Sequence, residues 1–220
     1  MTLSVGLTGG LASGKTVVAG MFASRGAYVM YADEVGRELM KPGQAVYDDV
    51  IGTFGACVVN SDRSINRAKL AEIAFGDGRI EELNRIVHPA VRVRLERWID
   101  EMSEFDPRAI LIFEAALILE GGLGKYFDKL IVVTSDPGQK LDRFAGRVLD
   151  AHVRDNQERA KALREAERRI GAQLSDAEKV AAADYVIDNS GTLAETELQV
   201  TKIAKELQLL ASAKQRASSS

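Results

Sequence analysis

Residues 6–16 read GLTGGLASGKT and follow the short stretch MTLSV at the start of the chain. The segment Gly9-x-x-x-x-Gly14-Lys15-Thr16 matches the phosphate-binding loop pattern G-x-x-x-x-G-K-[ST]. A loop of small residues can turn its backbone N–H groups inward, and the helix that follows adds unpaired N–H groups and a positive dipole end. Glycine allows backbone conformations and a close approach that a Cβ would hinder. The stretch therefore predicts a loop that binds polyphosphate, with a strand before it and a helix after it.

Two side chains of this loop have predicted chemical roles. Lys15 is expected to reach the β- and γ-phosphates as a point charge, and the Thr16 hydroxyl is expected to ligate Mg²⁺. The predicted nucleotide contacts are Gly9, Gly10, Leu11, Ala12, Ser13, Gly14, Lys15, Thr16 and Val17. Such a loop serves kinases, GTP switches and motor ATPases alike, so other residues must decide the reaction.

Strand and helix patterns alternate along the chain, which predicts an α/β fold with a parallel sheet covered by helices on both faces. Short apolar runs rich in branched residues predict strands at residues 3–8, 27–32, 109–114, 129–134 and 185–188. Helical spacing predicts helices at residues 15–24, 79–104, 137–149 and 193–210, with Pro89 as a boundary inside the second.

Length and pattern together predict a single domain over residues 1–211, with a core at about 1–33, 105–148 and 174–211. Residues 34–104 carry only helical patterns, too many for a plain crossover, and are interpreted as a helical insertion. Residues 149–173 are mostly charged with helical spacing, which predicts a lightly packed lid that moves easily. Residues 212–220 are interpreted as a polar tail.

The composition is that of a globular protein with a real core. The formal charge is −3 and the apolar fraction is 46%, which gives no indication of nucleic-acid binding. The apolar runs are far shorter than the roughly 20 residues that span a bilayer, and the N-terminus lacks the pattern of a signal peptide. Cys57 is the single cysteine, which fits a reducing compartment. We expect a cytoplasmic protein without membrane or nucleic-acid partners, most simply a monomer, although the sequence leaves oligomers open.

Three carboxylates lie at or after predicted strand ends. Asp33 follows the second strand, where a parallel sheet binds ligands at its carboxyl edge. It is interpreted as a base for an attacking hydroxyl or as a ligand in the metal shell, the alternative being a helix cap. Glu114 is a second candidate for the metal shell, and the alternative is an acid that faces water. For Glu120 the water-facing alternative is favoured.

Basic and amide side chains in the second half suggest further nucleotide contacts. Arg143 and Arg147 are four residues apart and share one helix face. With Arg168 and Arg169 they could surround a transferring phosphoryl group, and for each arginine surface charge pairing is the alternative. The stretch DYVIDNSG predicts a loop around an adenine, with contacts from its backbone and from Asn189.

Several patterns are missing, and their absence excludes some classes of function. The chain has two histidines, His88 and His152, and no C-x-x-C or H-E-x-x-H motif, so no histidine or cysteine metal cluster is predicted. His152 is interpreted as a surface residue. The N-K-x-D pattern of GTP switches is also missing.

These pieces, in this order, resemble the dephospho-coenzyme A kinase family over about residues 3–210. The matching stretches are VGLTGGLASGKT at 5–16, YADEVGREL at 31–39, LNRIVHP at 83–89, EAALILEGG at 114–122, RRIGAQ at 168–173 and ADYVIDNSGT at 183–192. In departure from the family's usual pattern, Tyr31 replaces an aspartate, Ala116 stands where proline is frequent, and the lid is longer.

The resemblance implies a P-loop kinase that uses ATP and Mg²⁺. It would transfer the γ-phosphoryl group to the ribose 3′-hydroxyl of dephospho-coenzyme A, giving coenzyme A and ADP. By that likeness Asp33 is the base and Arg143 a phosphate clamp. The helical insertion would hold the acceptor, with Arg37 and His88 nearby. The charged segment would be the lid, with the lid residues Arg147, Arg168 and Arg169.

Three other functions remain open from the residues alone. One is a P-loop kinase of another small molecule or nucleotide, and another is a nucleotide-dependent regulatory switch. The third is a catalytically inactive relative, which the intact Lys15, Thr16 and Asp33 disfavour.

Overall fold

A computed structural model describes residues 2–148 and 156–218 of the chain. The strands are β1 Leu3–Gly9, β2 Tyr28–Tyr31, β3 Ile110–Glu114, β4 Lys129–Thr134 and β5 Tyr185–Asp188. The helices are α1 Lys15–Ala23, α2 Ala32–Leu39, α3 Tyr47–Phe54, α4 Arg67–Ala71, α5 Ile80–Phe105, α6 Pro137–Val148, α7 Asn156–Gly171, α8 Asp176–Ala181 and α9 Leu193–Ser218. Each strand lies within one residue of its predicted bounds at either end, so the five predicted strands are confirmed.

The strands form one sheet in the order β2-β3-β1-β4-β5. β1 pairs in parallel with β3 on one side and with β4 on the other, and β4 pairs in parallel with β5. From β1 the chain continues toward the β2 edge, whereas from β3 it continues to β4 on the opposite side. The carboxyl ends of β1 and β3 therefore meet at a topological switch point, where open parallel sheets bind ligands.

The central strands are apolar because they are covered by other parts of the protein. Every residue of β1 is buried, and so are the inner residues of β3 and β4. Helices α1 and α9 contact each other and both contact β1 and β3, with Phe22 and Leu207 among the large buried side chains. Such continuous burial explains why these strands read as unbroken apolar runs rather than alternating ones.

The chain divides into two compact units, one of residues Met1–Met30 with Glu101–Ser220, the other of Tyr31–Asp100. The second unit is helical and has a core of its own. Its buried residues are Val46, Tyr47, Val50, Phe54, Val58, Ile65, Leu70 and Ala74. The Arg79 guanidinium lies 4.7 Å from the centre of the Phe54 ring and pairs with Glu82, which fixes the start of α5 on this core.

Helix α5 differs from the prediction because it continues through Pro89 without a break. Proline removes one backbone N–H and leaves the carbonyl of the residue four positions earlier without its helical partner. Both Pro89 and Arg85, which carries that carbonyl, are exposed, so water can replace the missing donor. Pro89 therefore lies on the solvent-exposed side of α5 and does not end the helix.

Helix α9 also differs, because it extends to Ser218 and includes residues interpreted as a polar tail. The added turns are rich in alanine, lysine, glutamine and arginine, which are favourable in helices. Lys214 fastens them by donating to the Asp128 carboxylate and to the Thr2 carbonyl. Among the helices of the described ranges, none is both long and apolar enough to cross a membrane.

Candidate active site

The predicted phosphate-binding loop lies at the carboxyl end of β1 and leads directly into α1. Gly14 caps α1 with φ 95°, a left-handed conformation that favours glycine, and its carbonyl accepts from Val17 N and Val18 N. Gly9 has φ 154°, and a Cβ there would lie 2.2 Å from the Val133 carbonyl oxygen of β4. The first and second glycines of the motif are therefore required by the fold itself, quite apart from any ligand.

Lys15 folds back over this loop. Its Nζ donates to the carbonyl oxygens of Gly9 at 3.1 Å and Gly10 at 3.0 Å. The ammonium group is thus held at the loop, together with the N-terminal N–H groups and positive dipole end of α1. This arrangement concentrates positive charge where a polyphosphate would bind.

Asn189, at the end of β5, holds the loop from the other side. Its Nδ2 donates to the Ser13 carbonyl at 2.9 Å, and its Oδ1 accepts from the Thr196 hydroxyl at 3.0 Å. A Cβ on Gly14 would fall 2.0 Å from the same Nδ2. The structure therefore gives Asn189 a bracing contact with the loop, and its predicted contact with adenine stays a prediction.

Of the four predicted arginines, Arg143 has the clearest connection to the loop. It donates to the Asn189 carbonyl at 3.0 Å and to Gln139 Oε1 at 3.0 Å. The Arg169 guanidinium lies 5.7 Å from the centre of the Phe144 ring, and Arg168 is exposed on α7. The Arg147 side chain, His152 and residues 149–155 of the predicted lid lie outside the described part of the chain.

The described part of the predicted lid packs on the loop through small side chains. Ala166 of α7 is fully buried in an apolar cluster with Ala12 of the loop and Phe144 of α6. The sequence of this segment predicts only light packing, because it has few large apolar residues. An alanine can still be a core residue where helices approach closely, and no local pattern marks it.

Lys140 and Asp176 form an ion pair beside the loop that no sequence pattern predicts. A Cβ on Gly10 would lie 3.2 Å from Lys140 Nζ and 3.1 Å from Asp176 Oδ1, so the pair sits against the loop backbone. The Lys140 side chain is 7% exposed. The partners are 36 residues apart on α6 and α8, which explains why no sequence signal identifies them.

The two glutamates of the EAALILEGG stretch lie in different environments. Glu114 ends β3 and is buried, next to Leu7 of β1 in the sheet register. Glu120 forms a 2.9 Å ion pair with the fully buried Lys179 and accepts from Leu174 N. Glu120 is exposed, as the favoured interpretation predicts, and its carboxylate also neutralises a buried cation.

Asp33, Arg37 and His88 all belong to the helical unit. Asp33 lies in the first turn of α2, where Tyr31 is the N-cap residue and no side chain caps the helix, so the capping alternative is wrong. Arg37 lies one turn further along the same helix. A Cβ on Gly36 would lie 3.5 Å from Val87 Cγ1, so α2 runs close to the part of α5 that carries His88. Burial lowers the pKa of His88, which favours its neutral form.

The side chains near the loop include oxygen donors of the kind that Mg²⁺ prefers. Over residues 2–148 and 156–218 no group of three or more His, Cys, Asp or Glu side chains is arranged to hold a metal ion. Mg²⁺ usually takes one or two protein oxygens and completes its shell with phosphate and water. The Thr16 hydroxyl in the first turn of α1 and the Glu114 carboxylate are oxygen donors of that kind.

Comparisons with known proteins place this chain among relatives of similar sequence and fold. A family model described as dephospho-CoA kinase matches residues 3–195. The dephospho-CoA kinase of Leifsonia xyli is 38% identical over 89% of this chain and 94% of its own length. That of Oceanobacillus iheyensis is 38% identical over 94% of this chain and 98% of its own length.

A solved structure extends the agreement to three dimensions. The crystal structure of TT1252 from Thermus thermophilus superposes with a TM-score of 0.69 at 25% identity, covering 94% of this chain and 98% of that one. The predicted α/β fold of P-loop kinase type is confirmed, and so is the resemblance inferred from the ordered motifs. Because the family match and the identity to curated relatives extend over most of its length, this chain belongs to the dephospho-CoA kinase family.

Proposed function

We propose that this chain transfers the γ-phosphoryl group of ATP to the ribose 3′-hydroxyl of dephospho-coenzyme A, giving coenzyme A and ADP. Family membership makes it an ATP-dependent phosphotransferase. The observation that supports the proposal most directly is the glycine loop between β1 and α1, with Lys15 held over it. This loop can neutralise a triphosphate, and phosphoryl transfer requires little else beyond positioning and charge stabilisation.

The chain's own groups divide the catalytic work. Lys15 and the N–H groups of the loop stabilise the charge that spreads over the oxygens of the transferring phosphoryl group. Arg143 donates a hydrogen bond to the Asn189 carbonyl and is the proposed clamp for that charge. The lid residues Arg147, Arg168 and Arg169 are proposed to assist it and to exclude water, which would otherwise compete as the acceptor.

Asp33 is the proposed general base. Its carboxylate is exposed, so a substrate hydroxyl can reach it, and it lies two residues after the end of β2. Arg37 and His88 are proposed to contact the acceptor, the first as a fixed cation and the second as a neutral imidazole. In this scheme Asp33 takes the proton of the 3′-hydroxyl while that oxygen forms the new bond to phosphorus, and ADP leaves.

Mg²⁺ is the proposed metal, held by the Thr16 hydroxyl and, through its outer shell, by Glu114. When bound it would neutralise charge on the β- and γ-phosphate oxygens. We also propose that the protein acts as a cytoplasmic monomer. Sedimentation at working concentrations tests the oligomeric state, and a fluorescent fusion in cells tests the location.

The function is tested by measuring ADP release with and without dephospho-coenzyme A, and by identifying coenzyme A with mass spectrometry. We expect ADP release to require the acceptor and to equal coenzyme A formation. A panel of nucleosides, nucleotides and shikimate tests other kinase activities. Faster transfer to one of these acceptors, or acceptor-independent hydrolysis alone, would contradict the proposal.

Substitution of Lys15 by alanine tests the role of the loop in the same assay. We expect a fall in kcat/KM of roughly 100-fold or more, because one preorganised charge at the transition state is worth about that much. Lys205→Ala is the matched control, since Lys205 is exposed on α9. Equal activity of both variants would show that the loop does not act on the phosphates.

A further inference from the structure

We propose that Asn189, oriented by Thr196, is a positioning residue that fixes the phosphate-binding loop in its nucleotide-binding shape and seats Arg143 against it. The inference deepens the proposed function and rests on it for the kinetic part of the test. Nucleotide binding, the main readout, does not depend on the identity of the acceptor.

The orientation of the Asn189 amide is determined by its neighbours. The Ser13 carbonyl can only accept a hydrogen bond, so the amide nitrogen must face it, at 2.9 Å. The amide oxygen then faces the Thr196 hydroxyl, which donates to it at 3.0 Å and also has the Thr192 carbonyl as a second acceptor at 3.2 Å. Asn189 is 5% exposed and Thr196 is fully buried, so water is not available to replace either bond.

The bond to Ser13 also sets the direction of a loop N–H group. The peptide between Ser13 and Gly14 is trans and planar, so its carbonyl and its N–H point in opposite directions. Because Asn189 holds the carbonyl on its own side, the Gly14 N–H is directed away from Asn189. Inward-pointing N–H groups are what allow such a loop to bind phosphate, and a single buried amide therefore organises this part of it.

Gly14 shows how closely the two parts fit. Its φ of 95° already favours glycine, and a Cβ at this position would lie 2.0 Å from Asn189 Nδ2 and 3.2 Å from Asn189 Cγ. The second glycine of the motif thus allows the amide to reach the loop backbone.

The same residue connects the loop to Arg143. The Asn189 N–H donates to the Thr134 carbonyl of β4 at 2.9 Å, and its carbonyl accepts from Arg143 at 3.0 Å. The side-chain oxygen, one side-chain N–H and both backbone groups are therefore engaged with protein. A residue that recognises adenine would need free donor and acceptor groups for the base. Because these groups of Asn189 already bind protein atoms, the positioning role is favoured.

Thr196→Val and Thr196→Ser form the principal test, since valine keeps the shape of threonine and serine keeps the hydroxyl. Calorimetry measures the affinity for ADP and for inorganic tripolyphosphate. We expect Thr196→Val to weaken both by about fivefold, which corresponds to the ~1 kcal/mol of one hydrogen bond, and Thr196→Ser to restore the wild-type affinity. Thr201→Val is the control: its hydroxyl donates to the Glu197 carbonyl of the same helix and accepts from Arg25, and neither partner belongs to the loop.

The kinetic arm compares ATP with GTP. If Asn189 positions the loop, Thr196→Val raises KM for both nucleotides alike, leaves KM for dephospho-coenzyme A unchanged and preserves the preference for ATP. A lost ATP preference with unchanged tripolyphosphate affinity would overturn the inference in favour of adenine reading. Unchanged affinity for ADP and tripolyphosphate in folded Thr196→Val would overturn it as well.

Asn189→Asp keeps the test decisive if Thr196→Val does not fold. This nearly isosteric change places a carboxylate oxygen against the Ser13 carbonyl, and we expect a larger loss of ADP affinity than for Thr196→Val. Wild-type affinity in this variant would overturn the inference. A wild-type protein that binds ADP but makes no coenzyme A would contradict the proposed function alone.

Discussion

At the scale of single residues, Asp33 is the proposed catalytic group with the simplest structural surroundings. It is exposed in the first turn of α2, where a carboxylate is favoured by the helix dipole and caps nothing. An exposed side chain in this position contributes little to the stability of the fold. The effect of its substitution on turnover should therefore report on catalysis.

We predict that Asp33→Asn lowers kcat by roughly 100-fold or more, as is typical for loss of a general base, and lowers the thermal unfolding temperature no more than Glu34→Gln does, because each variant removes one carboxylate from the first turn of α2. Glu34→Gln is the matched control, because Glu34 is the adjacent exposed acid on the same helix turn. Turnover is measured at saturating ATP and acceptor. Near-wild-type turnover of Asp33→Asn would show that another group takes the proton.

His88 gives a pH prediction. Burial lowers its pKa in the folded protein below the unfolded value of about 6.5. As the pH falls past that value the unfolded chain binds a proton that the folded chain does not, so this residue makes the protein less stable in acid. We expect urea unfolding free energies to drop more between pH 8 and 5.5 for wild type than for His88→Gln. Parallel curves for the two proteins would contradict this.

At the scale of elements, α8 depends on a buried charge. Lys179 is fully buried, pairs with Glu120 at 2.9 Å and donates to the Ala116 carbonyl, which also accepts from Thr8. This one side chain therefore connects α8 to the segment after β3 and, through that carbonyl, to β1.

We predict that Lys179→Met destabilises the protein by about 2 kcal/mol, because it removes the charged donor that binds the Ala116 carbonyl and leaves the partly exposed Glu120 carboxylate without its partner. The double variant Lys179→Met with Glu120→Gln should lose less, since no unpaired charge remains. Urea unfolding of the three proteins measures both effects. A double variant less stable than Lys179→Met would contradict this explanation.

The lengths of two helices show the limit of local rules at this scale. Proline normally ends a helix, yet α5 passes through Pro89, where both Pro89 and Arg85 are exposed and water can reach the orphaned carbonyl. A polar sequence near a chain end normally frays, yet α9 reaches Ser218 because Lys214 pairs with Asp128. In both cases the surroundings decide what the sequence leaves undetermined.

At the scale of the whole molecule, Asp128 joins distant parts of the chain. It accepts from Lys214 of α9 at 2.7 Å and from the Ser4 N–H of β1 at 2.8 Å. Burial raises the pKa of Asp128, but the hydrogen bonds from Lys214 and Ser4 outweigh burial and leave the pKa below its usual value. A carboxylate with a lowered pKa stabilises the fold above its unfolded pKa of about 3.9 and loses that effect as the pH falls further.

We therefore predict that Asp128→Asn is less stable than wild type at pH 7 and that the difference shrinks as the pH approaches 3. Asp100→Asn serves as the control, because Asp100 is exposed on α5. Chemical unfolding across this pH range measures the difference. A constant gap between Asp128→Asn and wild type would show that protonation of Asp128 is not its cause.

The sequence by itself determined the strands, the glycine loop, the positions of Lys15 and Thr16, and the family. Each of these features depends on neighbouring residues in the sequence. Unbroken apolar runs indicate strands buried on both faces, and glycines indicate backbone conformations that other residues avoid. Some predicted roles stay predictions, because each depends on contact with a bound ligand: those of Asp33, Arg37, His88 and the lid arginines.

Only the tertiary structure decided which side chains support the loop. Asn189 and Ser13 are 176 positions apart, Lys140 and Asp176 are 36 apart, and Ala166 meets Ala12 across most of the chain. Hydrogen bonds and ion pairs between such positions leave no periodic pattern in the sequence, since only the crossover order of the parallel sheet brings them together. The loop itself is identified by its sequence motif, whereas the residues that stabilise its conformation can be identified only from the tertiary structure.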